Sequence, residues 1–396
     1  MTLLILLALA CNAGSMEDPP SAEEQAEDEM AMLQSLGYAD YVDPAGEGDG
    51  VLLHEADKAW QAPTLVTVRP RRSALLLDMD GKELHSWKHG KKGVWERAHL
   101  LPDGDLLAVG LHHGKTEIAR SLVRLSWDGA VRWEQELEIH HDVTVAPDGR
   151  LAAMVFETRD VGRERPVRDD CIAFLDPATG VEGERVCFYD PIVAKPEVFP
   201  MKEIKALGGP DADKHFDIFH TNALHWIEDD TLEARFPAWK KGRVLVCFRH
   251  QDRVALFDLD TKEVVWSWGA DELEGPHDAQ ILPNGHVLVF DNGLNQRKWS
   301  RVVEIDPVTG EIVWSYAAPE KKDFYTPSRG SNQRLPNGNT LITSSEQAEV
   351  FEVTPEGERV WHWRLPKGER EKRLPSLIRA YRMDPAVLER LEGSAP

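Results

Sequence analysis

His141 and His277 each lie six residues before a proline, Pro147 and Pro283, and each is followed by an aspartate, Asp142 and Asp278. His220 opens the comparable segment between them, two residues before Asn222. Imidazoles titrate near neutral pH, so they serve as nucleophiles, as general acids and bases, or as metal ligands. Three together can hold zinc or copper. No His-x-His or His-Glu-x-x-His spacing occurs, however, so a metal would rest only on distant segments converging.

Arg249, after the apolar run Val244–Phe248, points to different chemistry. A guanidinium repels a metal cation but grips an oxyanion through parallel hydrogen bonds. With Asn222 and the histidines it forms a set suited to sulfate or phosphate esters. Taken singly, each residue has a plainer reading: a hydrogen-bonding histidine at a strand start, an arginine at a strand end. Repetition with the same following aspartate argues for a shared site. No role for Asp278 follows from sequence alone.

The elements that must position these residues are repeated hairpins. One unit has a tryptophan at or near its end: 76–87, 124–133, 256–268, 304–316 and 352–363, with 174–188 placing Cys187 in the tryptophan slot. A second unit carries Pro-Asp-Gly or Pro-Asn-Gly turns: 97–111, 141–157, 277–293 and 331–345, with 220–251 a longer version. These are tight-turn signals between alternating strands. Asp and Thr in segments such as 258–263 serve those turns and are not read as calcium loops. Two hairpins make a four-stranded sheet, and its recurrence predicts an all-β, six-bladed β-propeller of four-stranded antiparallel blades. The leading hairpin near 64–89 needs another part of the chain to complete its blade. Helical periodicity appears only at 385–393, as a short helix. In a propeller the first strand of each blade lines the axis, so the three histidines converge there. His99 stands three residues before Pro102 and has a different register.

Thirteen of the 68 acidic residues fall within the first 57 positions, which hold no Lys or Arg. Most of the net charge of −22 therefore belongs to a tail that reads as a disordered acidic spacer. No clustered positive charge suggests nucleic-acid binding. Residues 1–11 read as an export signal ending in a lipobox-like Ala8-Leu9-Ala10-Cys11, which makes Cys11 a lipidation site. The expected division is 1–11 signal, 12–61 acidic linker or tether, 62–385 propeller and 386–396 tail. An exported protein, periplasmic or lipid-anchored to the envelope, permits a disulfide, and Cys171 and Cys187 are spaced to face each other across a hairpin. Cys247 is then a buried thiol.

Five segments in order, 219–226, 246–261, 275–293, 300–316 and 330–353, resemble the bacterial arylsulfotransferases (aryl-sulfate sulfotransferases), and the resemblance runs across roughly 62–385. It implies transfer of a sulfuryl group from a phenolic sulfate ester to another phenol, without a nucleotide donor or other cofactor. It also implies that His277 becomes transiently sulfated, with His141 and His220 as acid/base or sulfonate-binding groups and Asn222 and Arg249 binding substrate. The absence of a Gly-rich phosphate loop agrees with nucleotide-free chemistry. Some members carry a β-sandwich before the propeller that builds their dimer; here only about sixty residues precede it, so the oligomeric state stays open. The segment 190–217 is where the substrate rim can differ. Two competing classes are a non-catalytic cell-surface propeller that binds a ligand or partner, and a His-metal hydrolase.

Overall fold

Each Pro-Asp-Gly and Pro-Asn-Gly turn closes an antiparallel hairpin whose glycine takes a positive φ: Gly104 at 94°, Gly149 at 87°, Gly285 at 80° and Gly338 at 89°. That conformation costs a residue with a Cβ but not glycine, which is why the motif recurs. The computed structural model describes residues 41–42, 48–90, 93–113, 118–204, 215–369 and 371–387. The expected export signal, Cys11 and most of the acidic tail lie outside the described residues, as does most of 385–393.

Six antiparallel sheets follow one another, numbered here in chain order. The innermost strands of blades two to six are Val94–Leu100, Ile139–Val145, Thr221–Trp226, His277–Ile281 and Ser331–Arg334. Blade one is Thr64–Val68, Ser73–Leu77 and Glu83–Lys88, and its innermost strand is the chain's last, Leu377–Arg382. The ends of the chain thus close the ring by main-chain pairing, Leu377–Arg382 with Thr64–Val68.

The repeated tryptophans fasten neighbouring blades at the outside. Trp133 donates its indole N–H to the Pro177 carbonyl at 3.1 Å, Trp268 to Gly310 at 3.0 Å, Trp314 to Pro355 at 2.7 Å and Trp361 to Met79 at 2.9 Å. Each acceptor lies in the outer turn of the next blade, so one residue buries apolar surface and satisfies a carbonyl. In blade three, Cys187 replaces the tryptophan and is joined by a disulfide to Cys171, its partner in the ladder, with Cα atoms 3.9 Å apart. Cys247 is buried and unpaired by sulfur.

The linker expected over 12–61 needs correction at its end. Gly50–His54 adds a fifth, outer strand to blade six by pairing with Arg359–Arg364, and Tyr41–Val42 pairs with Leu374–Pro375. Val42, Ala59 and Ala62 are buried. These apolar residues cover the edge of the last blade, a role that the surrounding acidity hid. The segment 190–217 is also not wholly irregular: a short helix, Tyr189–Val193, buries Ile192, and Phe216–Asp217 pairs with Val167–Arg168. Five residues are too few for a helical period to register.

Candidate active site

Where each inner strand makes its last pairing, at Arg382, Leu100, Val145, Trp226, Ile281 and Arg334, a common register is defined. Four residues upstream the six blades present Ile378, Glu96, His141, Asn222, His277 and Gly330. All six line one pocket on the axis, joined by Arg329 and Arg379. This corrects the sequence alignment in one respect. Asn222, not His220, shares the slot of His141 and His277, and His220 lies two residues earlier. The long connection between Trp226 and Val244 hid that offset.

Bulges at the start of these strands aim the side chains inward. His141, His220 and Asp278 have φ of 53°, 48° and 49°, and the ladders shift register beside them. His220 still reaches the site: its Nε2 lies 3.0 Å from Nε2 of His141. Asp217 fixes that ring, accepting from Nδ1 at 2.6 Å and from the His220 backbone N–H at 3.0 Å. On the other ring, His141 Nδ1 lies 3.2 Å from Glu96 Oε2, and Glu96 in turn meets Arg69 at 3.0 Å.

His277 is 6% exposed and its proton is assigned by its partners. The Asn292 amide nitrogen donates to the carbonyls of Thr326 and Arg329, at 2.6 and 2.7 Å, so its oxygen must face His277. That oxygen accepts from Nδ1 at 2.8 Å. Nε2 therefore carries the lone pair, and it takes the Arg329 backbone N–H at 3.2 Å. Burial first, and Arg249 second, hold the His277 pKa well below the usual histidine value, so the ring is neutral at neutral pH.

Arg249 begins a one-turn 3-10 helix, Arg249–Gln251, at the mouth of blade four. It donates to His250 Nε2 at 2.8 Å, and His250 Nδ1 donates to the Asp217 carbonyl at 2.7 Å. Asn222 is anchored at both ends: its nitrogen donates to the Pro276 carbonyl at 2.9 Å and its oxygen accepts the Asp278 N–H at 3.3 Å.

Asp217, His220 and His250 bring three ligand-type atoms within 4.8 Å of one another. Their chemistry does not fit a resident metal. His220 Nδ1 and His250 Nδ1 already donate to Asp217, and His250 Nε2 accepts from a guanidinium that would repel a cation.

One residue further along each strand lies a charged plug. Asp142 takes Arg97 Nε at 3.1 Å and the Leu224 N–H at 3.0 Å. Asp278 takes Arg379 at 3.2 Å, the Tyr381 hydroxyl at 3.1 Å and the Asn332 N–H at 2.8 Å. The aspartate after each histidine is thus a staple between blades and faces away from the histidine pocket. Beyond the plug a larger cavity, about 330 Å³, is lined by Tyr381, His99, Thr144, His225, Gln280 and Gln333. His99 belongs there, in keeping with its different register. The larger space is lined by none of His141, His220, Asn222, Arg249 or His277.

The arylsulfotransferase (ASST) family model matches residues 121–365, well over half the chain. The chain belongs to the arylsulfotransferase family. No curated protein matches this arylsulfotransferase. Among solved structures it is similar to a protein of unknown function from Bacteroides caccae, with 14% identity, 77% of this chain and 94% of that one covered, and a TM-score of 0.50. A catalytically inactive virginiamycin B lyase from Staphylococcus aureus aligns at 10% identity over 79% and 87% of the two chains, TM-score 0.42. The first likeness supports the propeller fold of this arylsulfotransferase and nothing finer.

Sequence reasoning missed four groups that contact or line the histidine pocket: Glu96, Asp217, Asn292 and Arg329. Glu96 had a signal, because it lies six residues before Pro102 just as His141 and His277 lie six before their prolines. Asp217 and Arg329 sit just ahead of repeat units, and Asn292 lies near the end of the 277–293 unit, where no shared spacing marks it.

Proposed function

We propose that this protein transfers a sulfuryl group from a phenolic sulfate ester to a second phenol, with His277 Nε2 as the nucleophile. The observation that carries the reading is the fixed tautomer of His277. Its Nδ1–H is held by Asn292, so the neutral ring offers an Nε2 lone pair to a pocket shared with His141 and Asn222. Nε2 attacks sulfur and the S–O bond to the aryl group breaks. The departing oxygen takes a proton, and the sulfonate remains on His277. The acceptor phenol then loses a proton, its oxygen attacks sulfur, and the S–N bond breaks to restore His277. One difficult transfer becomes two easier ones.

The sulfonate oxygens gain negative charge in each transition state. Arg249 and Arg329 supply positive charge near His277, and the Arg329 N–H, which Nε2 releases when it attacks, is left beside the new sulfonate. An exported protein tethered through Cys11 is part of the same proposal, supported by the Cys171–Cys187 disulfide, since such bonds persist in oxidising compartments.

The test is turnover of p-nitrophenyl sulfate with phenol as acceptor. Wild type releases nitrophenol and forms phenyl sulfate, whereas His277→Ala does neither. Nitrophenol release by His277→Ala at the wild-type rate would refute the assignment.

A further inference from the structure

The contact between His141 and His220 contains more protons than two neutral rings can supply. His220 Nδ1 lies 2.6 Å from Asp217, and His141 Nδ1 lies 3.2 Å from Glu96. Both carboxyls are ionised. Burial opposes this in Glu96, but Arg69 and His141 outweigh it; burial likewise opposes it in Asp217, but Arg168 and His220 outweigh it. A carboxylate only accepts, so each Nδ1 must carry its hydrogen. A neutral imidazole has one N–H. With both Nδ1 atoms protonated, two neutral rings would set two Nε2 lone pairs against each other at 3.0 Å.

We infer that His141 and His220 share one additional proton between their Nε2 atoms, forming a singly charged imidazole–imidazolium pair held by Glu96 and Asp217, and that this proton is the one given to the leaving phenolate. The inference rests on the sulfuryl-transfer reading for its second half and on geometry and the ionised carboxylates for its first. Glu96 and Asp217 are positioning residues that act through the rings.

The surroundings allow one extra proton and oppose two. Behind the carboxylates stand Arg69, Arg168 and Arg329, and Asp170 faces Asp217. Around the rings lie His140, 5.2 Å from His141 by centroid, and His250, 4.5 Å from His220. Arg249 and His277 complete the shell. Burial first, then His250 and His141, push the His220 pKa down against the pull of Asp217.

The proton ledger of the reaction then closes within the pair. As the S–O bond breaks, the phenolate oxygen takes the shared proton and the pair becomes neutral, with its two Nε2 lone pairs set against each other. The acceptor phenol returns a proton to those nitrogens as its oxygen attacks sulfur. Each cycle ends with the singly charged pair restored.

Two measurements test this in the full-length protein. In the resting protein labelled with 15N-histidine, a strongly downfield proton coupled to Nε2 of both His141 and His220 is expected near neutral pH. It should vanish in Asp217→Asn and in Glu96→Gln. Separate, uncoupled Nε2 signals in wild type would overturn the shared proton, whatever the activity. The kinetic arm compares donors with good and poor leaving groups. Loss of the acid should slow phenyl sulfate by about 100-fold in Glu96→Gln while p-nitrophenyl sulfate slows by less than about tenfold, because a nitrophenolate needs little protonation. Equal losses for both donors would overturn the acid role. A downfield proton in a protein that transfers no sulfuryl group would uphold the pair and refute the proposed function instead.

Discussion

Asn292 Oδ1 lies 2.8 Å from His277 Nδ1, and both hydrogens of the Asn292 amide are held by the carbonyls of Thr326 and Arg329. The asparagine cannot turn round without setting N–H against N–H and oxygen against two carbonyls. Its orientation decides which nitrogen of His277 carries the lone pair.

Asn292→Ala should therefore impair activity and stability together. The ring would lose its tautomer bias, with kcat falling about 100-fold, a typical scale for a misoriented catalytic histidine. Two buried carbonyls would lose a donor, at about 1–3 kcal/mol each where nothing replaces it. Steady-state kinetics and urea melts check both. An Asn292→Ala protein with unchanged kcat would show that the tautomer is set elsewhere.

Stability should rise with pH between about 4 and 6.5, the interval bounded by the depressed and unfolded histidine values. His99, His140 and His250 are each pushed down to about 4, first by burial, and His220, His225 and His277 are lowered by the same cause. For these groups the unfolded chain binds more protons within that window, so acid favours unfolding. Their contribution is fully present above the unfolded value and is lost as pH falls. Asp169 and Glu346, raised to about 7 by burial, act in the opposite direction between the usual carboxylate range and 7. Six histidines against two carboxyls give a net rise. Urea midpoints measured across this range should climb; a flat or falling profile contradicts the neutral-histidine account.

Asp278→Ala should destabilise the protein by about 3 kcal/mol, the lower part of the range for breaking a buried ion pair from one side. Arg379 would keep the Asn222 carbonyl at 2.7 Å and Asp142 at 3.6 Å, while the Asn332 N–H would lose its acceptor. Thermal melts read this loss. A shift below a degree would mean that the plug does not hold the blades together.

Replacing Cys171 and Cys187 by serine should cost about 2–3 kcal/mol, the usual contribution of a bond closing a loop near this size. The bond spans 16 residues, joins the outer two strands of blade three and lines no part of the pocket, so kcat should stay within twofold. Denaturant curves of the oxidised and double-serine proteins settle it. A large kcat change would tie the outer blade to the chemistry.

The propeller was legible because its turns have strict needs. Gly149 and Gly285 must take positive φ, and Trp133 and Trp361 must reach the next blade, so the sequence repeats them. His141 and His277 were legible by the same offset from a turn. His220 was read one slot wrong because the 227–243 connection replaces the usual turn, and the short offset rule has nothing to count from. Asp217 and Asn292 carried no pattern at all. Asp217 reaches His220 only three residues on, and Asn292 reaches His277 from the end of the neighbouring strand of the same blade, so each contact depends on local backbone shape that no repeated spacing marks. The apolar Gly50–His54 strand was masked by acidic neighbours, since net charge describes a segment's average and pairing depends on its alternate residues.

The most direct test of the account is the fate of His277 during one turnover. Protein mixed with excess p-nitrophenyl sulfate and no acceptor, quenched rapidly and mapped by mass spectrometry, should carry one sulfuryl group on His277 Nε2, discharged when phenol is added. Full nitrophenol turnover with an unmodified His277, or a stable label on another residue, would contradict it.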